Sequence, residues 1–426
     1  MKLAKDIRKP ALASALAKGF AASAGLAFTW SVGRLLGSAG AGQILVALTV
    51  LTIVSSLGRV GFDAVVTREV AAASDDATVS AVLLHAVRVA SIATLVLSSV
   101  VWITMAIVPA WSVSSGRGAV IAVVLIGSVA TSGRWLISHA FQGEMRLVRF
   151  HMYQNALVVG IGTAVFVFLI AIGASVSPLG AACIFLAATA LAYLIGWADW
   201  RRTRTTSAGE VDTAALDRSS RMLLVGVALT LVEMWSPQLF LAAVASDDEV
   251  GLFSVALRLS MSASVILVVM NSVVFPQFAA AYENGESERL RQLARLASGV
   301  ASSVGVAVLI VVVVAGRDIL GFVGTDFEEA ASMLVILTIG QVVSAVSGSV
   351  GGLLAMTRHE RDAAVAHAIG ASGSLIACVA MVPAFGGVGA AWSRTLGLTV
   401  VMLYQAFLVK KRLGFFPMPS VRRMNR

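Results

Sequence analysis

Residues 221–285 read RMLLVGVALTLVEMWSPQLFLAAVASDDEVGLFSVALRLSMSASVILVVMNSVVFPQFAAAYENG. Two long apolar segments flank a short acidic turn, Asp247-Asp248-Glu249. Each segment exceeds the ~20 apolar residues that carry a helix across a bilayer. The second opens on Gly251 and ends on FPQFAAAYENG. The first half of the chain repeats the plan, with Gly42 opening an apolar segment that ends on VTREVAAASDDA. Gly251 follows Gly42 by 209 positions, and the same offset places Ala280-Ala281 on Ala71-Ala72 and Gly389-Ala390-Ala391 on Gly180-Ala181-Ala182. Three anchors at one offset and in one order predict a duplicated unit of about half the chain.

The composition agrees. The chain is 58% hydrophobic and 13% charged, against about 25% charged in soluble domains, and its mean hydropathy is +0.89. Long unbroken apolar runs predict an all-α integral membrane protein, because a barrel would show short alternating segments. Twelve transmembrane helices are expected at 11–36, 42–62, 80–108, 118–141, 151–173, 178–199, 220–245, 250–281, 289–315, 328–356, 361–383 and 387–409. Pro109, Pro178, Pro383 and Pro417 punctuate helix ends, whereas Pro237 and Pro276 read as kinks. The basic N-terminus, MKLAKDIRKPALASALAKGF, puts its small-residue cleavage sites before the apolar run, so it reads as an uncleaved first helix.

The net charge of +9 sits mostly in short loops, where it sets orientation and does not point to nucleic acid. With the N-terminus in the cytoplasm, the even loops and both tails hold 23 Lys and Arg residues, and the odd loops hold only Arg117 and Arg317. Both termini are therefore expected to be cytoplasmic, with the acidic turn outside. The polar stretch 201–219, holding RRTRTTSAGEVD, reads as a cytoplasmic linker. It joins an N-terminal six-helix bundle, 1–200, to a C-terminal bundle with a basic tail, 220–426. An even number of helices per half makes the repeat parallel, about a pseudo-two-fold axis along the membrane normal.

Several stretches, in order, resemble the bacterial polysaccharide flippases of the multidrug/oligosaccharidyl-lipid/polysaccharide exporter superfamily. They are RLLGSAGAGQ at 34–43, SLGRVGFDAVVTREVA at 56–71, FQGEMR at 141–146, SDDEVGLFSVALRL at 246–259, NSVVFPQFAAAY at 271–282, GGLLAMTRHER at 351–361 and GGVGAAWSRTLGL at 386–398. Two departures stand out: Arg358, where the family often has glycine, and Glu233-Met234-Trp235, where it often has a basic-acidic pair. The resemblance implies a MATE-like pair of six-helix bundles in the bacterial plasma (inner) membrane. By alternating access they would move polyprenyl-diphosphate-linked oligosaccharide from the cytoplasmic to the outer leaflet for cell-surface polysaccharide biosynthesis. The implied partners are that substrate, membrane lipid and other polysaccharide assembly proteins. Twelve helices rather than fourteen favour this reading over a lipid II flippase.

Charges left inside the predicted helices are the candidate site. Arg34, Arg59, Arg134, Arg258 and Arg394 remain after the loops and the snorkelling Lys18 and Arg88 are set aside. A charge at a helix centre costs roughly 2.5–3.5 kcal/mol on insertion scales, so such residues face a cavity or a partner. Guanidinium groups suit phosphate because they donate in a planar fork and keep their charge. The functional reading is an arginine-lined path for an anionic head group, and the bland one is structural pairing between helices. Glu233, near the midplane, is either a coupling-proton site or the fixed partner of one arginine. His85, His139 and His367 are isolated in sequence and read as packing histidines, with cavity lining the alternative for His139, which shares a helix with Arg134, and the eight tryptophans read mostly as interface anchors.

Cys183 and Cys378 fall inside predicted helices and imply neither disulfide nor metal. There is no metal-ligand spacing, phosphate-cradling glycine loop or nucleotide motif, so the sequence implies no cofactor, no enzyme and no direct use of ATP. ATP would have to come through a partner; coupling to a proton or sodium gradient is the open alternative, and no motif shows it. The competing readings are a multidrug exporter of the same fold, a membrane glycosyltransferase or polymerase, and a non-transporting scaffold.

Overall fold

The computed structural model describes residues 2–73, 75–107, 115–202, 209, 211–262, 274–275, 277–357 and 359–418. Pro109, Pro276, Arg358, linker positions 203–208 and 210, and the middle of the expected eighth helix lie outside the described residues. All regular structure among the described residues is helical. Nine stretches there are long and apolar enough to cross a membrane when a pair bent by 46° counts as one. Two of the nine are double length. Gly19–Gly58 has 40 residues, about 60 Å of helix at ~1.5 Å per residue and twice a bilayer core. Gly37, at φ 64, breaks it where the first and second expected helices divide. The chain is thus a multi-pass membrane protein, and its surface shows why. Ile92, Leu95, Val96, Val100 and Ile103 are exposed along one helix and Ile310, Val311, Val313 and Val314 along another, a belt whose solvent is hydrocarbon.

The chain divides into two compact units, residues 1–228 with 246–251, and residues 229–245 with 252–426. In the first unit, α1 (Lys2–Gly58) supplies the core, with Ile44, Leu45, Val46 and Ala47 fully buried. Val60, at φ 51, and Gly61, at φ 83, break the chain before α2 (Phe62–Ala72). A β-branched residue with positive φ is a genuine outlier, and such strain concentrates at functional sites. Asp75 precedes α3 (Asp76–Ile107) and accepts the Thr78 backbone N–H and hydroxyl, which hold its carboxyl below the usual range. α4 (Gly116–Ile126) and α5 (Ser128–Gly143) form the bent pair. The next span starts as α6 (Leu147–His151), passes through a π turn, Met152–Ala156, and continues as α7 (Leu157–Ala171). Pro178 opens α8 (Pro178–Arg202), a first-turn position where its missing N–H costs nothing.

α9 (Thr213–Val244) contributes to both units and keeps Pro237 inside it. α10 (Asp247–Ser262) begins directly on the acidic triplet. The expected turn is therefore a helix start, where three carboxylates complement the positive end of the helix dipole. In the second unit follow α11 (Ser287–Val323), a short 3-10 turn, α12 (Ala331–Ser347), α13 (Val350–Met356) and α14 (Glu360–Leu413). α14 is a helical hairpin bent at Gly386, φ 52. A Cβ on Gly389 would overlap the Met381 carbonyl, one on Gly397 would meet Ser374, and one on Gly370 would strike Val401. Small residues thus let the two legs touch backbone to backbone. Pro383, expected to end the first leg, lies three residues inside that bend.

The repeat is visible within the first unit. Shifted by 209 positions, Ser38 falls on Asp247 and Gly42 on Gly251. A Cβ on Gly42 would overlap the Asp247 carbonyl, and one on Gly251 would overlap the Ser38 carbonyl. Exchanging the repeat-related residues turns one contact into the other, which is the signature of a two-fold crossing. Asp247 also accepts from Gln43 Nε2 at 2.7 Å and Arg117 Nε at 2.6 Å, while Ser38 donates to Asp248.

Candidate functional site

Arg59 stands in the break between α1 and α2 and is 3% exposed. Its Nε donates to Asp63 Oδ1 at 2.6 Å, Nη1 to the Ser55 carbonyl at 3.0 Å and Nη2 to Ser56 Oγ at 3.3 Å. The guanidinium carbon lies 4.7 Å from the Trp135 ring centre, a cation–π contact. Trp135, His139 and Gln142 recur at i, i+4 and i+7, one face of α5. His139 Nδ1 is 3.0 Å from Gln142 Oε1 and 3.3 Å from Thr67 Oγ1, and its Nε2 is 4.0 Å from Asp63. The first unit therefore holds a half-buried Arg59–Asp63 ion pair flanked by a histidine near the same carboxylate.

Arg134 leaves the neighbouring face of α5. Its Nη1 donates to the carbonyls of Tyr153 and Gln154, inside the π turn. A π turn interrupts the regular i to i−4 ladder and leaves carbonyls in need of donors. A guanidinium meets that need, and the wide turn gives a buried charge its acceptors. Among the described residues nothing accepts from Arg134 Nε.

The second unit holds the matching feature. Glu233, on α9, is 3% exposed and accepts from Nη1 of Arg394, on the second leg of α14. His367, on the first leg, places Nδ1 3.9 Å from Glu233 Oε2. Among the described residues, neither Arg394 Nε nor His367 Nδ1 has a hydrogen-bond partner. Pro237 lies four residues after Glu233 and cannot donate to the Glu233 carbonyl, so the backbone there lacks its usual helix bond. One carboxylate thus binds Arg394 and lies near His367, and neither Arg394 Nε nor His367 Nδ1 is satisfied among the described residues. Such an arrangement is able to take an anion in competition with the carboxylate, or a proton on the histidine–carboxylate pair.

Of the sequence candidates, the structure brings together Arg394 and Glu233. It sets Arg59 on Asp63 and Arg134 on backbone, leaves Arg34 exposed before the Gly37 break, and leaves Arg258 partly exposed on α10. Asp63, His85 and His367 carry no site signal in the sequence, and His139 only that of sharing a helix with Arg134. Three of the five histidines lie beside a carboxylate, His85 on Asp217 at 2.8 Å, His139 near Asp63 and His367 near Glu233. Their partners are remote in sequence, so spacing carried no signal. Trp200 and Trp235 are buried and Trp135 lies under Arg59, so these three pack and do not anchor.

Among solved structures, an inward-facing multidrug resistance MATE family transporter of the MOP superfamily matches with TM-score 0.72 and 16% identity, over 92% of this chain and 94% of its own. The lipid II flippase MurJ, in an inward closed conformation, matches with TM-score 0.72 and 11% identity, over 93% and 87%. A MOP superfamily transporter from Pyrococcus furiosus, described as having a binding pocket of reversed polarity, matches with TM-score 0.65 and 16% identity, over 95% and 96%. At these identities the likeness is one of fold. No curated protein matches the chain by sequence. The family model described as "Polysaccharide biosynthesis protein" matches residues 7–281, well over half of the sequence. With a MOP-type helical fold beneath that match, the chain belongs to the polysaccharide biosynthesis protein family.

Proposed function

We propose that the protein is a flippase for polyprenyl-diphosphate-linked oligosaccharide. It moves the sugar-diphosphate head from the cytoplasmic to the outer leaflet by alternating access of its two halves, with both termini in the cytoplasm of a bacterial inner membrane. The observation that carries the reading is the Glu233–Arg394–His367 cluster, in which one buried arginine and one half-buried histidine stand beside a single acid and Arg394 Nε has no hydrogen-bond partner among the described residues. A diphosphate offers acceptors to Arg394 Nε and His367 Nδ1 and competes with Glu233 for the guanidinium. Arg34 and Arg258 add positive field along the path, whereas Arg59 is paired with Asp63 and Arg134 serves the π-turn carbonyls. Glu233 then acts as the resident counter-ion that the substrate displaces, with a proton or sodium ion as its alternative occupant.

A cation exporter of the same fold would use Glu233 as its site, but Arg394 already neutralises that carboxylate. The sidedness of lipid-linked oligosaccharide in cells lacking the protein tests the proposal. The intermediate should accumulate on the cytoplasmic leaflet and be relieved by wild type but not by Arg394→Ala. Normal outer-leaflet delivery in the deletion strain, with no second flippase present, removes the proposal, and drug efflux becomes the next assay.

A further inference from the structure

The first unit contains a pocket that the transport reading does not use. It occupies about 440 Å³ between the start of the π-turn span and the end of α8, lined by Arg149, Met152, Tyr153, Ile195, Ala198, Asp199 and Arg202. Asp199 is the acid in it, and Tyr153 Oη donates to Asp199 Oδ2 at 2.9 Å. Arg149 Nη1 lies 3.4 Å from Asp199 Oδ1 yet makes no hydrogen bond, although the atom is buried. The Arg149 guanidinium is held 5.3 Å above the Phe141 ring, so it is positioned without being saturated. Arg202 adds a second positive charge at the rim, and Arg201, stacked 5.2 Å over Trp197, adds a third nearby. The excess charge is positive, since the lining holds two arginines against one aspartate.

The pocket also continues into the hydrocarbon-facing surface. Leu191, Ile195, Ala198 and Arg202 recur at i, i+4, i+7 and i+11, one stripe of α8. Leu191, Leu194 and Ile195 are exposed there, as is Val148 across the pocket. A ligand that fits is anionic at one end and apolar at the other, with the anionic end level with the helix termini. Basic pockets at the ends of transmembrane helices bind such head groups.

We propose that this pocket binds the phosphate of an anionic membrane phospholipid, taken by Arg149 and Arg202, with an acyl chain lying along Leu191 and Ile195. The site is a structural lipid site and stands whether or not the transport reading does.

The test uses purified full-length protein in nanodiscs and native mass spectrometry. Wild type should retain phosphatidylglycerol over phosphatidylcholine, and its Tm should rise in phosphatidylglycerol discs. Losing one arginine near the bilayer surface, in Arg149→Gln or Arg202→Gln, should weaken retention about five-fold, the equivalent of one surface charge. Tm in phosphatidylcholine discs checks that each variant folds. If Arg149→Gln does not fold, exposed Arg202 carries the comparison alone. Equal retention of the two lipids, or unchanged retention in folded variants, overturns the proposal. Competition by inorganic phosphate at millimolar concentration identifies a free-anion site instead, and displacement by equimolar polyprenyl phosphate identifies a carrier-lipid site. Either result also overturns it.

Discussion

Glu233 and Arg394 are bound to each other's fate. Removing one partner of a buried ion pair leaves an uncompensated charge and costs about 3–5 kcal/mol. Glu233→Gln and Arg394→Gln should each lower the unfolding temperature in detergent, while the double variant regains most of the loss and still fails to transport. Recovery of transport in the double variant would show that the pair is only a strut. Arg134 predicts the opposite separation. Arg134→Ala leaves two π-turn carbonyls without their donor, at about 1–3 kcal/mol each. Yield and unfolding temperature should fall, yet transport per folded molecule, read by sidedness assay against folded fraction, should stay near wild type. Sequence marked both arginines as charges in the membrane because that cost is local and visible. It did not reveal what they touch, since Glu233 lies 161 positions from Arg394 and the Arg134 acceptors are backbone atoms of any residue type.

At the scale of elements, helix length and position were legible because apolar length is a property of a short window. Pro178 marks an end that the structure keeps. The π turn and the left-handed Val60 were not legible, because tertiary contacts and not local propensity impose them. The Gly42–Gly251 crossing tests how far two elements depend on the absence of a side chain. A methyl group on either glycine meets backbone, which cannot swing aside. Gly42→Ala and Gly251→Ala should each destabilise by about 1–3 kcal/mol. Their effects should be less than additive in the double variant, since one displacement relieves both clashes. Thermal unfolding of the three variants reads this directly. Full additivity would mean that the two contacts are independent.

At the scale of the molecule, orientation rests on the loop charges, and each loop is a separate witness. Ser175 and Thr325 are expected outside, and Arg146 and Ser287 inside. In a background lacking Cys183 and Cys378, an impermeant maleimide should label cysteines at 175 and 325 in intact cells. Cysteines at 146 and 287 should label only after lysis. Reversed labelling at any one site would move that span and its neighbours. The repeat behind this plan was legible from three anchors at one offset, but the touching of its two glycines was not, because offset carries no distance. That touching ties descent to geometry. In an unduplicated ancestor a single codon would have written both sides of the crossing, with each copy of the subunit meeting its own image. After fusion the two codons mutate separately, yet each still has the other's backbone for its wall. Neither half can therefore accept a larger residue there on its own account, and the old symmetry survives as a constraint on inheritance at this crossing.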